Sequence, residues 1–313
     1  MIRPHQSSEE RDPLEQPRAA RSGKPRRKLR TIMILPTLFT LGNLICGFFA
    51  IVVAARVVKP DSPLVPAAQV IEFRNAANVW VLDPRDDTHN IMLSGWLIFL
   101  AMVFDALDGH VARLAKSASN FGAQLDSLCD LVTFGVAPGF LLVKMVPEFT
   151  YYYPGAIWII AAVFPACAAL RLARFNVETG TSDDDHQTFR GLPSPAAAAA
   201  IAGFAILFYT LRIEPTEWKL RSDEILQHLL PFFALIVAAL MVSRIPYPHV
   251  VNRMFRGKRS FGHLVGLLFL LVGIALFRGY AVPIVSCGFV LGPPLLFLWQ
   301  KARERKLTEE SLF

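Results

Sequence analysis

Charge is scarce in this chain. Of its 313 residues only 18% are Asp, Glu, Lys or Arg, against 53% hydrophobic, too little to cover a water-soluble globule of this size. Soluble two-domain folds are set aside on that ground. Cysteine is scarce too. Cys46, Cys129, Cys167 and Cys287 all fall inside apolar blocks, and none has a zinc-site spacing. That implies no disulfide framework and leaves them as small packing residues. No internal repeat is strong enough to indicate a duplicated architecture. Nor does the chain open like a secretory signal. Residues 1–30 carry nine basic residues, several prolines and almost no large apolar side chain, which predicts a disordered cytoplasmic tail.

What the chain does have is apolar blocks near the length of a bilayer crossing, with a mean hydropathy of +0.41 overall. Eight spans are predicted, at about Ile32–Ala55, Ile91–Arg113, Phe121–Val146, Gly155–Leu172, Pro195–Leu211, Leu229–Val242, Gly262–Phe277 and Val282–Trp299. The fold class is therefore all-α, a polytopic membrane helical bundle. The net charge of +7 does not require nucleic acid, because the basic residues lie between and outside the blocks. Alternate connections are basic: Arg113 and Lys116; Arg171, Arg174 and Arg190; Arg244 with the run Arg253 to Arg259; and Lys301 to Lys306. The others are mixed or poor in charge, around Asp83–Asp87, Lys144 with Glu148, Glu214–Glu224, and Arg278. Both termini are accordingly predicted in the cytoplasm. The basic run from Arg253 to Arg259 would also attract anionic lipid headgroups.

The second span is anomalous. Ile91 to Phe104 is fourteen residues and covers about 21 Å, short of the roughly 30 Å hydrocarbon core. The helix must continue through Asp105, Asp108 and Gly109 toward Arg113. The third span then begins at Phe121 and soon adds Asp126 and Asp130. Four carboxylates thus flank one short turn, Lys116 to Asn120, at or just below the membrane surface. A central Asp costs roughly 2.5–3.5 kcal/mol to insert, less near an interface, so the cluster needs compensation. Spacings of three and four put each pair on one helical face. Facing pairs of oxygen ligands suit Mg²⁺ or Mn²⁺, and two such ions can clamp a diphosphate and ease displacement at phosphorus. A transporter or channel would also place carboxylates in membrane helices, but distributed through the depth rather than gathered near one face. Solvated loop carboxylates would not explain two pairs beside apolar helices.

Written out, the pattern is Asp105, Asp108, Gly109, Ala112, Arg113, Gly122, Asp126 and Asp130, eight residue types across 26 positions. It resembles the signature of the CDP-alcohol phosphatidyltransferase family. The resemblance implies that Asp105, Asp108, Asp126 and Asp130 bind two divalent metal ions, that Asp130 is also the general base, and that Asp105, Gly109, Ala112, Arg113 and Gly122 bind CDP. Physical chemistry agrees: the glycines leave room for a nucleotide against backbone, and Arg113 offers a fork for phosphate oxygens. Helix packing and a positive-inside anchor are the plainer roles for the same residues. His110 occupies a variable position of the pattern and has no assigned role.

Leu38 to Phe48, Asp126 to Pro138, and Arg171 to Asn176 with Gly191 to Pro195 resemble bacterial and archaeal members of that family that act on serine. The resemblance covers most of residues 34–212. It implies CDP-diacylglycerol and L-serine as substrates, phosphatidylserine and CMP as products, and a homodimer in a bacterial inner membrane with its site at the cytoplasmic face. Glycerol 3-phosphate or an inositol phosphate remains open as the acceptor. Serine is a zwitterion whose carboxylate needs an arginine and whose ammonium needs oxygen acceptors. Arg171, Arg174, Asn176, Arg190 and Ser194 are the candidates. Arg171 and Arg174 would equally serve to end the fourth helix, and Ser194 with Pro195 to open the fifth. Asp183 to Asp185 are expected to be solvated, and Asn43 to act as interhelical glue. The organisation expected is a tail (1–30), a catalytic core (31–212), additional spans (213–300) and a second tail (301–313).

Overall fold

A computed structural model describes residues 28–57, 84–115, 120–179, 191–212, 216–247 and 278–310. They are almost wholly helical. In chain order the helices are α1 (Lys28–Ala55), α2 (Pro84–Ala115), α3 (Asn120–Leu131), α4 (Ala137–Met145), α5 (Pro147–Tyr152), α6 (Pro154–Thr179), α7 (Ser194–Arg212), α8 (Glu217–Val242) and α9 (Arg278–Glu310). A π-helical segment, Val132–Val136, joins α3 to α4. Seven candidate membrane spans lie among the described residues, each coinciding with a predicted one. The expected span Gly262–Phe277, the basic run 253–259, the run 183–185 and residues 1–27 lie outside them.

The larger boundary differences from the sequence expectation, α9 running past Trp299 to Glu310 among them, arise because hydropathy undercounts polar helical turns. The helix predicted to start at Leu229 starts at Glu217, so the mixed charges around it are helical rather than a loop. Arg212 Nε reaches Asp223 Oδ1 at 2.7 Å, and Gln227 Nε2 donates to Asp223 Oδ2 at 2.8 Å, ordering those turns. Likewise α2 begins at Pro84, within the connection expected around Asp83–Asp87. The fourth span does not end near Leu172 but runs to Thr179, placing Arg171, Arg174 and Asn176 along a helix.

The third span is not one continuous α-helix. Pro138 has no N–H for the carbonyl of Phe134, and the Ala137 N–H instead bonds the Val132 carbonyl, five residues back. Gly139 sits so close to α6 that a Cβ there would lie 2.7 Å from the Ala161 carbonyl oxygen.

The core is organised around α7, whose run of alanines lets other backbones approach. It packs against α2, α8, α9 and the third span. A Cβ on Gly95 of α2 would stand 2.9 Å from the Ala202 carbonyl oxygen, and one on Gly203 would stand 3.1 Å from Pro283 Cα of α9. Gly191, with φ of 93°, turns the chain into α7 while its N–H and that of Leu192 bond Ile245 and Leu240 carbonyls at 2.9 and 3.0 Å. Large apolar side chains such as Ile45, Phe48, Phe49, Leu295, Leu296 and Trp299 face outward. That surface suits lipid, where helices satisfy their own backbone groups. The protein is an integral membrane protein.

α1 packs along α2 and against the π-helical segment. A Cβ on Gly47 would lie 2.8 Å from Thr133 Cα, so backbone itself fills the space. Gly47→Ala is therefore expected to lower stability by about 1–3 kcal/mol, read as a lower Tm of the purified protein. Gly288→Ala, where nothing lies within 4 Å of the added atom, should hold or raise Tm through better helix propensity. Equal Tm changes for the two would contradict this packing.

Candidate metal and catalytic site

Four carboxylates come from two helices. Near its C-terminus α2 carries Asp105 and Asp108, and α3 carries Asp126 and Asp130 across the connection. Oxygens of Asp105, Asp108 and Asp126 lie within 4.8 Å of one another. Asp130 stands beside this trio, close enough to interact electrostatically with all three. Asp108 and Asp130 are only 5% and 8% exposed. Like charges held this closely away from water require a counter-charge.

The spare atoms indicate what supplies it. Asp108 Oδ2 and Asp126 Oδ1 are buried and have no hydrogen-bond partner among the described residues. Unpartnered carboxylate oxygens inside a three-carboxylate group are a donor set suited to a hard divalent cation. The residues therefore fit a metal ion.

The first helix supports the cluster in a way the sequence reading missed. Thr40 hydrogen-bonds Asp108, which also receives a backbone bond from Gly109. Asn43 Nδ2 donates to Asp130 Oδ1 at 2.9 Å, and Thr133 Oγ1 donates to the Asn43 main-chain carbonyl at 3.2 Å. Asn43 does join helices as expected, but it does so through a site carboxylate. A signal was available: Thr40 and Asn43 are polar residues three apart in an apolar span, hence on one face.

The remaining candidates divide. Arg171 on α6 interacts electrostatically with Asp130 and Asp105, and its Nη1 donates to Ser194 Oγ at 2.7 Å. Those two candidates are brought to the carboxylates. Ser194 is less a cap than expected, since the first carbonyl of α7 to accept is that of Pro193, from Ala197 N–H at 3.0 Å. Arg174 Nη1 instead donates to the Val242 carbonyl at 3.0 Å, holding the end of α8. Asn176 Nδ2 donates to Ser127 Oγ at 2.9 Å, tying α6 to α3. A Cβ on Gly109 would meet none of the described residues within 4 Å. Gly122 lies in the first turn of α3, and Ala112 and Arg113 in the last turn of α2. Arg190 lies outside the described residues.

A sequence profile described as CDP-alcohol phosphatidyltransferase matches residues 33–244, which include every carboxylate of the cluster and all of α6 and α7. A Methanocaldococcus jannaschii protein named CDP-diacylglycerol–serine O-phosphatidyltransferase is 36% identical over 159 residues, covering 51% of this chain and 65% of that protein. A Helicobacter pylori (strain J99) protein of the same name is 32% identical over 216 residues, covering 67% of this chain and 79% of that protein. An archaetidylserine synthase of Methanothermobacter thermautotrophicus is 34% identical over 156 residues, covering 49% and 57%.

The unpartnered oxygens predict metal-linked stability. Adding Mn²⁺ or Mg²⁺ to metal-stripped protein should raise Tm, by the equivalent of about 2.7 kcal/mol at a hundredfold excess over Kd, and chelator should reverse it. Asp126→Asn should fold yet lose most of that shift. An undiminished shift in this variant would place the ion elsewhere.

Proposed function

Because the chain belongs to the CDP-alcohol phosphatidyltransferase family, we propose that it transfers the phosphatidyl group of CDP-diacylglycerol to L-serine, giving phosphatidylserine and CMP. The observation that carries this reading is the meeting of three carboxylates, a fourth held by Asn43, and an Arg171–Ser194 pair at one end of a membrane bundle. Serine is favoured over other alcohols by the names of the bacterial and archaeal relatives. A guanidinium beside the carboxylates also supports it, since Arg171 has donors beyond the one given to Ser194.

Asp105, Asp108, Asp126 and Asp130 would hold two divalent ions, Mg²⁺ or Mn²⁺. When bound, these would neutralise the diphosphate and the developing charge on departing CMP. Gly109 and Gly122 leave room for the nucleotide against backbone, with Asp105, Ala112 and Arg113 completing the CDP pocket. Arg171 grips the serine carboxylate, oriented by Ser194. Asp130, fixed by Asn43, takes the proton of the serine hydroxyl. The serine oxygen then forms a bond to the phosphorus bearing diacylglycerol. The bond from that phosphorus to the CMP oxygen breaks, and CMP leaves with its electron pair. Transfer in one displacement accounts for every atom.

The basic connections near the carboxylate end support a site at the cytoplasmic face with both termini on that side. The bacterial relatives support an inner-membrane location. The chain would work as a homodimer.

Two measurements test the reading. Purified protein supplied with CDP-diacylglycerol should release CMP with L-serine and not with glycerol 3-phosphate or an inositol phosphate, the product being identified by mass spectrometry. Production of phosphatidylglycerophosphate without phosphatidylserine would reject serine as acceptor. Gly109→Ala should keep its Tm, since the added atom meets none of the described residues, while the KM for CDP-diacylglycerol rises about tenfold. An unchanged KM would remove Gly109 from the nucleotide pocket.

A further inference from the structure

Asn43 uses only half of its amide. Its Nδ2 donates to Asp130 Oδ1 at 2.9 Å, whereas its Oδ1 is buried and has no hydrogen-bond partner among the described residues. The residue is 0% exposed, so bulk water does not serve that oxygen while the helices are closed around it, and a substrate group reaches it only as they part locally. A buried acceptor left this way costs about 1–3 kcal/mol. Turning the amide over would not help, because it would set the carbonyl against a carboxylate oxygen and lose the one donor available. The two hydroxyls on this part of the site are committed elsewhere. Thr133 Oγ1 donates to the main-chain carbonyl of Asn43, and Thr40 is on Asp108. The carbonyl is therefore an acceptor to which none of the described residues donates, on the same side chain that holds Asp130.

We propose that Asn43 Oδ1 receives the ammonium group of the acceptor substrate and is a specificity-determining residue for an amino alcohol. This rests on the serine reading above. The hydroxyl that reacts must approach Asp130, and in serine the ammonium is attached one carbon further on. A molecule with its hydroxyl at Asp130 therefore carries its ammonium into the vicinity of the neighbouring amide. Arg171, which interacts with Asp130 from α6, takes the carboxylate. The three functional groups of the zwitterion thus meet three different helices: α1 through Asn43, α3 through Asp130 and α6 through Arg171. Asn43 itself stays chemically unchanged, since its amide accepts a hydrogen bond and exchanges no proton.

The test compares L-serine with 3-hydroxypropionate, which has the hydroxyl and carboxylate but no amine. Wild-type protein should favour serine in kcat/KM, and Asn43→Leu, similar in size, should reduce that preference at least tenfold while slowing both acceptors. The ratio separates recognition from support, because loosening Asp130 slows both acceptors alike and leaves the ratio unchanged. An unchanged ratio, or a wild type that does not discriminate between the two, overturns the assignment of Asn43 while leaving serine as substrate. Absence of any serine product from the wild type overturns the serine reading and this one together. If Asn43→Leu does not fold, a structure of wild-type protein with serine bound decides: an ammonium nitrogen within about 3.5 Å of Oδ1 supports the proposal, and one farther away refutes it.

Discussion

The constraint on which this molecule turns is electrostatic: four aspartates are gathered on two adjoining membrane-span helices, and two of them are nearly excluded from water. Carboxylates in that setting repel one another, and each is costly alone. Two arrangements relieve the problem. Donors from neighbouring helices take some oxygens, as Thr40 does for Asp108 and Asn43 for Asp130. Other oxygens remain uncommitted, on Asp108 and Asp126, for a cation to complete. A site fully satisfied by protein would have no need of metal or substrate.

Holding the cluster explains the packing around it. α1 must run close enough for short side chains to reach the carboxylates, and Gly47 allows that approach against Thr133. Thr133 in turn bonds the Asn43 carbonyl, so one contact fixes both the helix and the residue that orients Asp130. The π-helical segment starts two residues after Asp130, which changes the rotation of the chain between the carboxylate-bearing turns and the core-packing turns of α4. Small residues of α7 then let α2 and α9 close over the rest.

Much of this was legible in the sequence because it is written in local patterns. Apolar run length located seven spans now seen, and the Asp105–Asp108 and Asp126–Asp130 spacings placed both pairs on helical faces. Hydropathy erred where helices carry charge: Asp223 belongs to α8 because Arg212 and Gln227 satisfy it, a tertiary fact. The break at Val132–Val136 depends on Pro138 and on α6 lying against Gly139, and only the first of these is local. Thr40 and Asn43 were visible as polar residues in an apolar helix, but their partners are far along the chain, Asp130 being 87 positions from Asn43. Arg171 and Arg174 look equivalent in sequence. The fold separates them by giving Arg174 the end of α8 and Arg171 the carboxylates.

The two ends of the bundle solve opposite problems. At the end away from the aspartates, Arg212 bonds Asp223 and the Met145 carbonyl. Gln227 bridges Asp223 to the Glu148 N–H, and Lys144 reaches the Val57 carbonyl at 2.9 Å. These bonds join α4, α5, α7 and α8 to one another and to the end of α1, and both oxygens of Asp223 are occupied. Such closure favours rigidity, since moving any one helix leaves a partly buried polar group unpaired. That closure is not general: most of the buried oxygens without a bond from the described residues gather at the aspartate end, on Asp108, Asp126 and Asn43. Polar groups held open in this way persist only if the helices bearing them cannot collapse together to satisfy them. The bonds around Arg212 hold α4, α5, α7 and α8 against one another, which opposes a rearrangement of that kind.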